Sequence, residues 1–441
     1  MANKAGNGSN GSNGVNGNGG GGPGVSAYDV MLLSALERGD ESLQTGRYIV
    51  TYADNAQEET TAHLKALGLR TADARDFTDQ AASVEDVGDA DVLMLPEIGV
   101  AVISAEAAGE RSARLQESAA ASDQPIAAYE PEYFVFAEDL STDYIRGFRR
   151  AIDALSADAI LPDLQDPDEF EAQVLGATWG LAACKVPISA RSGAGIRVAV
   201  LDTGMALNHP DFVGRPIVSH SFVGQPVQDL HGHGTHCTGT SCGPQAPVGT
   251  TPRYGIAYQA PIFIGKVLSN TGSGATGGVL AGMNWAIANR CAVISMSLGS
   301  QSPPQAAYTA AGQAALNNGC LIIAASGNAA AQTGAPANSP TIMSVASLDP
   351  NLRPSSFSNF GKIEIAAPGR DVFSSVPMPQ RYGIKRGTSM ATPHVAGCAA
   401  LWAQTGANLR GQALWNKLLA SAKPLPFPAA RVGKGLVQAP S

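Results

Sequence analysis

Hydrophobic and polar positions change period several times along the chain, and each period predicts an element. Residues 1–24 have none: they are almost entirely Gly, Asn and Ser, with Lys4 as the one charge. Such a stretch cannot bury a core and predicts a flexible tail, extended here over residues 1–45. Tyr48-Ile49-Val50-Thr51-Tyr52 alternates β-forming residues and predicts a strand. Ala62, Leu64 and Leu67 give helical spacing to residues 58–67. Residues 91–95 and 98–103 are apolar runs of strand length around a Pro96-Glu97 turn. Residues 105–121 are rich in helix formers, and 126–136 read as extended again. A β-α-β-β-α-β order predicts a small two-layer α+β unit over residues 46–137.

Beyond it, Tyr144, Ile145, Phe148, Ile152 and Leu155 have helical spacing, which predicts an amphipathic helix in a linker over 138–174. Residues 163–171 are acidic and contain proline, as suits an exposed, cleavable joint. From residue 175 to 441 the period alternates between strand and helix. Residues 198–201, 262–268, 292–297 and 320–325 are apolar runs of strand length, and 276–289 and 304–317 are helical in composition. That order predicts the α/β class, a parallel sheet covered by helices on both faces. Sites on such sheets lie at the C-terminal ends of strands. Asp202 falls at one such end and Asn328 just beyond another.

Composition narrows the picture. With 441 residues the chain has room for two or three domains. A net charge of −8 gives no support to nucleic-acid binding, and no apolar run has the length of a membrane span. The first residues hold no apolar core of a Sec signal peptide, so the expected location is the cytoplasm, or outside by another export route. The six cysteines lie mostly among apolar or small residues and are expected to be buried free thiols. Cys237 and Cys242 lack the short spacing of a structural zinc site.

Three segments carry chemistry. Val198-Ala199-Val200-Leu201-Asp202-Thr203-Gly204 is a strand ending on an acid and a turn glycine. His231-Gly232-His233-Gly234-Thr235-His236 sets histidines among small residues. Gly387-Thr388-Ser389-Met390-Ala391-Thr392-Pro393-His394 puts a serine at the start of a helix, with Pro393 expected near its first turn, where a missing N–H is tolerable. Taken singly, these are a turn former, a packing histidine and an N-cap. Taken together they form a reactive set. A serine hydroxyl is a poor nucleophile until an imidazole takes its proton, and the imidazole needs a carboxylate to orient it. A helix N-terminus favours the anion that then develops.

With Ala324-Ala325-Ser326-Gly327-Asn328, these segments resemble those of the subtilisin-like serine peptidases, the subtilases. The acid, histidine, serine order is that family's own. The resemblance implies a subtilisin-like parallel sheet with Asp202 as orienting acid, His233 as general base and Ser389 as nucleophile. It selects His233 because the pattern His-Gly-Thr-His puts the base first. His231 lies one step outside, and His236 matches a second, structural histidine. Asn328 and the Ser389 amide would hold the oxyanion. Ser297-Leu298-Gly299 resembles the family's substrate-binding strand. Ala325, Ser326 and Gly327 would line the P1 pocket, with room for a sizeable apolar side chain and no acidic cluster for a basic one. Gly433-Lys434-Gly435 resembles the turn that closes the family's domain.

Tyr48-Ile49-Val50 and Ala128-Tyr129-Glu130-Pro131-Glu132 resemble the family's inhibitory propeptide. That implies a self-processed zymogen whose own N-terminal unit is its intramolecular inhibitor, cut between residues 137 and 176. Cys237, four residues after His233, implies sensitivity to mercurials. Asp211 matches a position that often ligates calcium, but residues 242–251 lack the Asn-containing loop that would complete the site. Calcium therefore stays open, and no other cofactor is implied. The expected function is a serine endopeptidase acting on peptides or proteins through an acyl-enzyme on Ser389. Two alternatives stay open: a silent subtilase fold that binds peptides, and a peptidase held inhibited by its N-terminal unit.

Overall fold

The computed structural model describes residues 26–37, 42–121, 124–137, 176–249 and 251–441. The linker helix expected over 138–174 and the low-complexity residues 1–25 lie outside the described residues. Seven strands form the sheet of the C-terminal unit. They are β6 (Val198–Asp202), β7 (Ile217–Ser221), β8 (Ile262–Lys266), β10 (Val293–Met296), β12 (Leu321–Ala325), β13 (Met343–Leu348) and β14 (Ile365–Pro368). Their order is β14-β13-β12-β10-β6-β8-β7. Every neighbouring pair is parallel. All of these strands but the edge strand β7 are buried along their whole length. That is why they read as apolar runs rather than alternations.

Helices cover both faces. Val198 and Val200 of β6 pack in a core with residues of α4 (His233–Cys242) and α7 (Thr388–Thr405). Ala199 and Leu201 point the other way, into a core with α5 (Thr276–Ala288) and α6 (Ala306–Asn317). Pro393 lies inside α7, not in its first turn. Its missing N–H leaves the Ser389 carbonyl without the donor that a helix normally supplies from four residues on. Ser297 Oγ replaces that donor at 2.7 Å, with Cys237 Sγ at 3.6 Å.

The N-terminal region forms β1 (Gln44–Tyr52), α2 (Gln57–Ala66), β2 (Thr71–Asp73), β3 (Val92–Leu95), β4 (Val100–Ile103), α3 (Ala105–Ala120) and β5 (Ile126–Ala137). This is the expected order with one addition, β2, whose three residues are too few to show a period. The sheet does not stop at the N-terminal region. Two short strands of the C-terminal unit join it, β9 (Ser273–Ala275) and β11 (Leu298–Gly299). Its order is β11-β5-β1-β4-β3-β2, and β9 also pairs with β5. β5 thus lies between two edges offered by the C-terminal unit.

One further element departs from the expected tail. Residues Ala27–Glu37 form a helix, α1. Ser26 and Asp29 start it as a reciprocal cap: Ser26 N donates to Asp29 Oδ2 at 3.0 Å, and Asp29 N donates to Ser26 Oγ at 3.1 Å. Tyr28, Leu32 and Ala35 follow at helical spacing and are buried.

Candidate active site

β6 delivers Asp202 to the C-terminal edge of the parallel sheet, and α4 starts on His233. The two meet because glycines stand where they cross. A Cβ on Gly234 would lie 2.2 Å from Gly204 O, and one on Gly204, at φ +98°, would lie 2.1 Å from Val227 O. Only bare backbone allows that approach. His233 Nδ1 and Asp202 Oδ1 are 2.7 Å apart and buried. Asp202 Oδ1 also accepts from Thr203 N at 2.7 Å. His233 Nε2 has no hydrogen-bond partner among the described residues. Burial alone would lower the His233 pKa, but the facing Asp202 carboxylate outweighs it and raises the imidazole well above its ordinary value.

Ser389 stands in the first turn of α7, where backbone N–H groups have no partner within the helix. Its hydroxyl donates to Ser297 O at 3.3 Å. Cys237 links the two sides of the site: its Sγ is 3.9 Å from His233 Nδ1 and 3.6 Å from Ser389 O. Its thiol is fully buried, and burial pushes its pKa up. Asn328, just past β12, accepts from Thr388 N at 2.8 Å and Thr388 Oγ1 at 3.1 Å through Oδ1. That fixes Nδ2 as the donating end of its amide. Gly327 N donates to the same Thr388 hydroxyl at 3.1 Å, so Gly327 and Asn328 are both tied to the residue that precedes Ser389. His236 is turned away: Nε2 meets Val372 O at 2.9 Å, and burial lowers its pKa well below the ordinary value.

Sequence reasoning missed two parts of this site. Asp229 is fully buried and collects five donors: Thr203 Oγ1 at 3.0 Å, His231 N at 2.9 Å, Gly232 N at 2.8 Å, Thr235 N at 2.9 Å and Thr235 Oγ1 at 2.6 Å. It caps α4 in place of Gly232, which has no side chain to do so, and thereby places His233. An acid four residues before that histidine was the available signal. The other is β9, three small residues facing β11 across the cleft.

The cleft between β9 and β11 is filled by β5. Ala137 and Phe136 pair antiparallel with Leu298 and Gly299, so the strand runs toward Ser297. Phe134, Val135 and Phe136 pair with Ala275, Gly274 and Ser273 on the other side, and Ala137 N donates to Gly272 O at 2.8 Å. Two acids of β5 reach the C-terminal unit beyond the cleft. Glu130 accepts from Ala306 N at 3.1 Å and Ala307 N at 2.9 Å, at the start of α6. Glu132 accepts from Gly277 N at 2.8 Å, at the start of α5. Carboxylates suit helix N-termini because unpaired N–H groups and the helix dipole meet them there. Burial raises the Glu132 pKa, with Arg47, Thr45 and Gly277 pulling against that rise.

The residues around Asp211 do not fit calcium. Its Oδ2 accepts from Tyr254 Oη at 2.7 Å and Tyr382 Oη at 2.9 Å, and its Oδ1 from Arg381 Nη2 at 3.1 Å and Val248 N at 3.3 Å. A calcium ion needs six to eight oxygen ligands. Here the carboxylate is spent on four donors, one of them already a cation. Burial would raise its pKa, but the two phenols and Arg381 hold it below the usual carboxylate range. Asp211→Asn is therefore expected to lower stability by about 1–3 kcal/mol, to the same extent with calcium and with a chelator. Thermal unfolding under both conditions checks this; a loss seen only in the presence of calcium would restore the metal. The stabilisation from Asp211 is present above the ordinary carboxylate pKa and is lost as pH falls through the depressed value.

No helix among the described residues is long and apolar enough to cross a membrane, and the six cysteines are free and buried.

Residues 193–435 match the sequence profile of the Subtilase family, Peptidase_S8. The "Alkaline protease" of Alkalihalobacillus alcalophilus is 37% identical over 295 residues, covering 65% of this chain and 75% of the relative. "Subtilisin Savinase" of Lederbergia lenta is 39% identical over 268 residues, covering 59% of this chain and 96% of the relative. The "Cuticle-degrading protease" of Metarhizium anisopliae is 35% identical over 296 residues, covering 62% and 71%. The crystal structure of a cold adapted subtilisin-like serine proteinase matches with a TM-score of 0.54 at 33% identity, covering 60% of this chain and 100% of that one.

Proposed function

The chain belongs to the subtilase family of serine endopeptidases, and on that premise we propose that it cleaves peptide bonds through an acyl-enzyme on Ser389, first on its own N-terminal region. The observation that carries the reading is the 2.7 Å bond between Asp202 and His233, with His233 Nε2 left without a partner among the described residues and Cys237 Sγ lying 3.9 Å from His233 Nδ1 and 3.6 Å from Ser389 O. Ser389 Oγ leaves Ser297 O and attacks the scissile carbonyl carbon. The C–O bond forms, the carbonyl pair moves to oxygen, and the hydroxyl proton passes to His233 Nε2. Asp202 holds Nδ1–H and balances the imidazolium charge. Asn328 Nδ2 and the Ser389 N–H receive the oxyanion. Collapse breaks the C–N bond as His233 returns the proton to the leaving amine. Water, deprotonated by the same base, then releases the acid.

A substrate adds a strand to β11 and β9 by backbone pairing, so Ser297, Leu298 and Gly299 bind main chain. Ala325, Ser326 and Gly327 line the P1 pocket. In the uncut chain β5 takes the substrate's place, which supports the reading of residues 46–137 as an intramolecular inhibitor. Capping of α5 and α6 by Glu132 and Glu130 supports it further. Because β5 runs toward Ser297, the bond to be cut lies beyond Ala137.

Intact mass followed over time on the wild-type and Ser389→Ala chains tests this. The wild type is expected to shorten to a new N-terminus between residues 138 and 176, and Ser389→Ala to stay whole. Shortening of both at one rate would show that another protease makes the cut. A wild type that stays whole yet hydrolyses peptides freely would remove the inhibitor reading.

A further inference from the structure

Asp29 of α1 is fully buried. Its Oδ1 accepts from Ser269 Oγ at 2.8 Å, Thr271 Oγ1 at 2.6 Å and Ser273 Oγ at 2.5 Å. An N-terminal cap needs only the amides of its own helix. Three hydroxyls from a distant turn, all directed at one carboxylate oxygen, go beyond that need. Charge-assisted hydrogen bonds of this kind are the strong ones, and a buried carboxylate without them would be costly. A buried cation adds to the same surroundings: burial brings the Lys266 ammonium down to about 8, while Asp229, Asp202 and Asp29 oppose the fall.

The turn that holds Asp29 is closed by Ser269 N donating to Ser273 O at 2.7 Å and Gly272 N donating to Ser269 O at 3.0 Å. It leads directly into β9, and Gly272 O is the acceptor for Ala137 N. Whatever fixes this turn therefore fixes one wall around β5. α1 also packs on β5 itself, with Leu32 and Ala35 against Phe134. Tyr28 packs against Val223 and Ala275, the last residue of β9. The Arg47 guanidinium lies 5.5 Å from the centre of the Tyr28 ring, and Arg47 pairs with Glu85 at 3.1 Å. The helix thus joins the α+β unit, the strand in the cleft and the rim of the cleft.

We propose that Ser269, Thr271 and Ser273 form a carboxylate-receiving cradle at the rim of the cleft, and that α1, seated there through Asp29, is a second inhibitory clamp holding β5 between β9 and β11. This rests on the reading of the N-terminal region as an inhibitor. Its occupant is a segment of the same chain, upstream of the unit that fills the cleft.

Two measurements on the full-length chain test it. The first is amide hydrogen exchange in the Ser389→Ala background, where no self-cleavage intervenes. Asp29→Ala is expected to speed exchange at residues 134–137 and 273–275 at least tenfold, while β3 and β4 keep their protection. Changing the cradle instead, with Thr271→Ala and Ser273→Ala together, should give the same pattern and leaves α1 its own sequence. Val30→Ser, on the outward face of α1 where Val30 is 54% exposed, should change nothing. The second is the lag before peptide hydrolysis appears in chains with Ser389 intact, expected to shorten several-fold in the same variants. Exchange at 134–137 unchanged in both the Asp29 and the cradle variants would overturn the clamp. A wild-type chain fully active with its N-terminal region attached would instead overturn the inhibitor reading, and exchange alone would still decide whether the cradle secures β5.

Discussion

His233→Ala is expected to hydrolyse peptides about a million times more slowly than the wild type. That scale is subtilisin's own, taken over with the family rather than obtained from the distances here. It amounts to about 8 kcal/mol of transition-state stabilisation. The loss is large because the base serves both halves of the reaction, taking the proton from Ser389 Oγ and delivering it to the leaving amine. Residues that act as one unit do not add, so His233→Ala and Ser389→Ala together should cost little more than either alone. Both chains would first be freed of their N-terminal region by added wild-type enzyme, then assayed with a chromogenic peptide. His233 is buried, so a melting curve must accompany the assay. A folded His233→Ala enzyme retaining a thousandth of the activity would remove His233 from its role.

Asp202→Asn should cost about 10⁴-fold in kcat and also move the pH profile. General-base catalysis needs His233 neutral at Nε2. In the wild type the Asp202 carboxylate raises the imidazole pKa against the pull of burial. The acid limb of kcat/KM should therefore lie above the ordinary imidazole value of about 6.5. With asparagine the carboxylate charge is gone and burial prevails, so the limb should move below that value. An acid limb unmoved by the substitution would mean that another group titrates there. Stability runs the other way. A raised imidazole pKa stabilises the fold fully below the unfolded value, and that contribution is lost as pH rises through the folded one. The pH range that frees the base is thus the range in which the Asp202–His233 pair holds the fold least.

The parallel sheet and the meeting of Asp202 with His233 were legible because both rest on local signals. Strands buried on both faces are apolar throughout, and acid, histidine and serine each sit beside glycines that let backbones approach. Other parts depended on distant partners. β9 is Ser273-Gly274-Ala275, with no alternation to mark it; it is a strand only because β5 lies against it. Pro393 is tolerated within α7 because Ser297, distant in sequence, supplies the donor that the proline lacks. Asp211 carried a family expectation of calcium, and Arg381, Tyr254 and Tyr382, which replace the ion, come from segments with no local mark. α1 is hidden for a different reason: Ser26 and Asp29 spell its cap plainly, but they adjoin a Gly/Asn-rich run whose composition predicts a tail.

The sheet that continues from β1 through β5 into β9 and β11 has a kinetic meaning as well as a structural one. A strand carried on the same chain as its cleft meets that cleft at an effective concentration of roughly millimolar. Severing the joint would leave every hydrogen bond of the sheet in place and abolish only that local excess. From then on the occupant must compete at its bulk concentration, and once it drifts away it returns only by a second-order encounter. On the proposed inhibitor reading, the same severed pair would stay closed at high concentration and open on dilution, so the volume available to it would set what fraction of the clefts stands open.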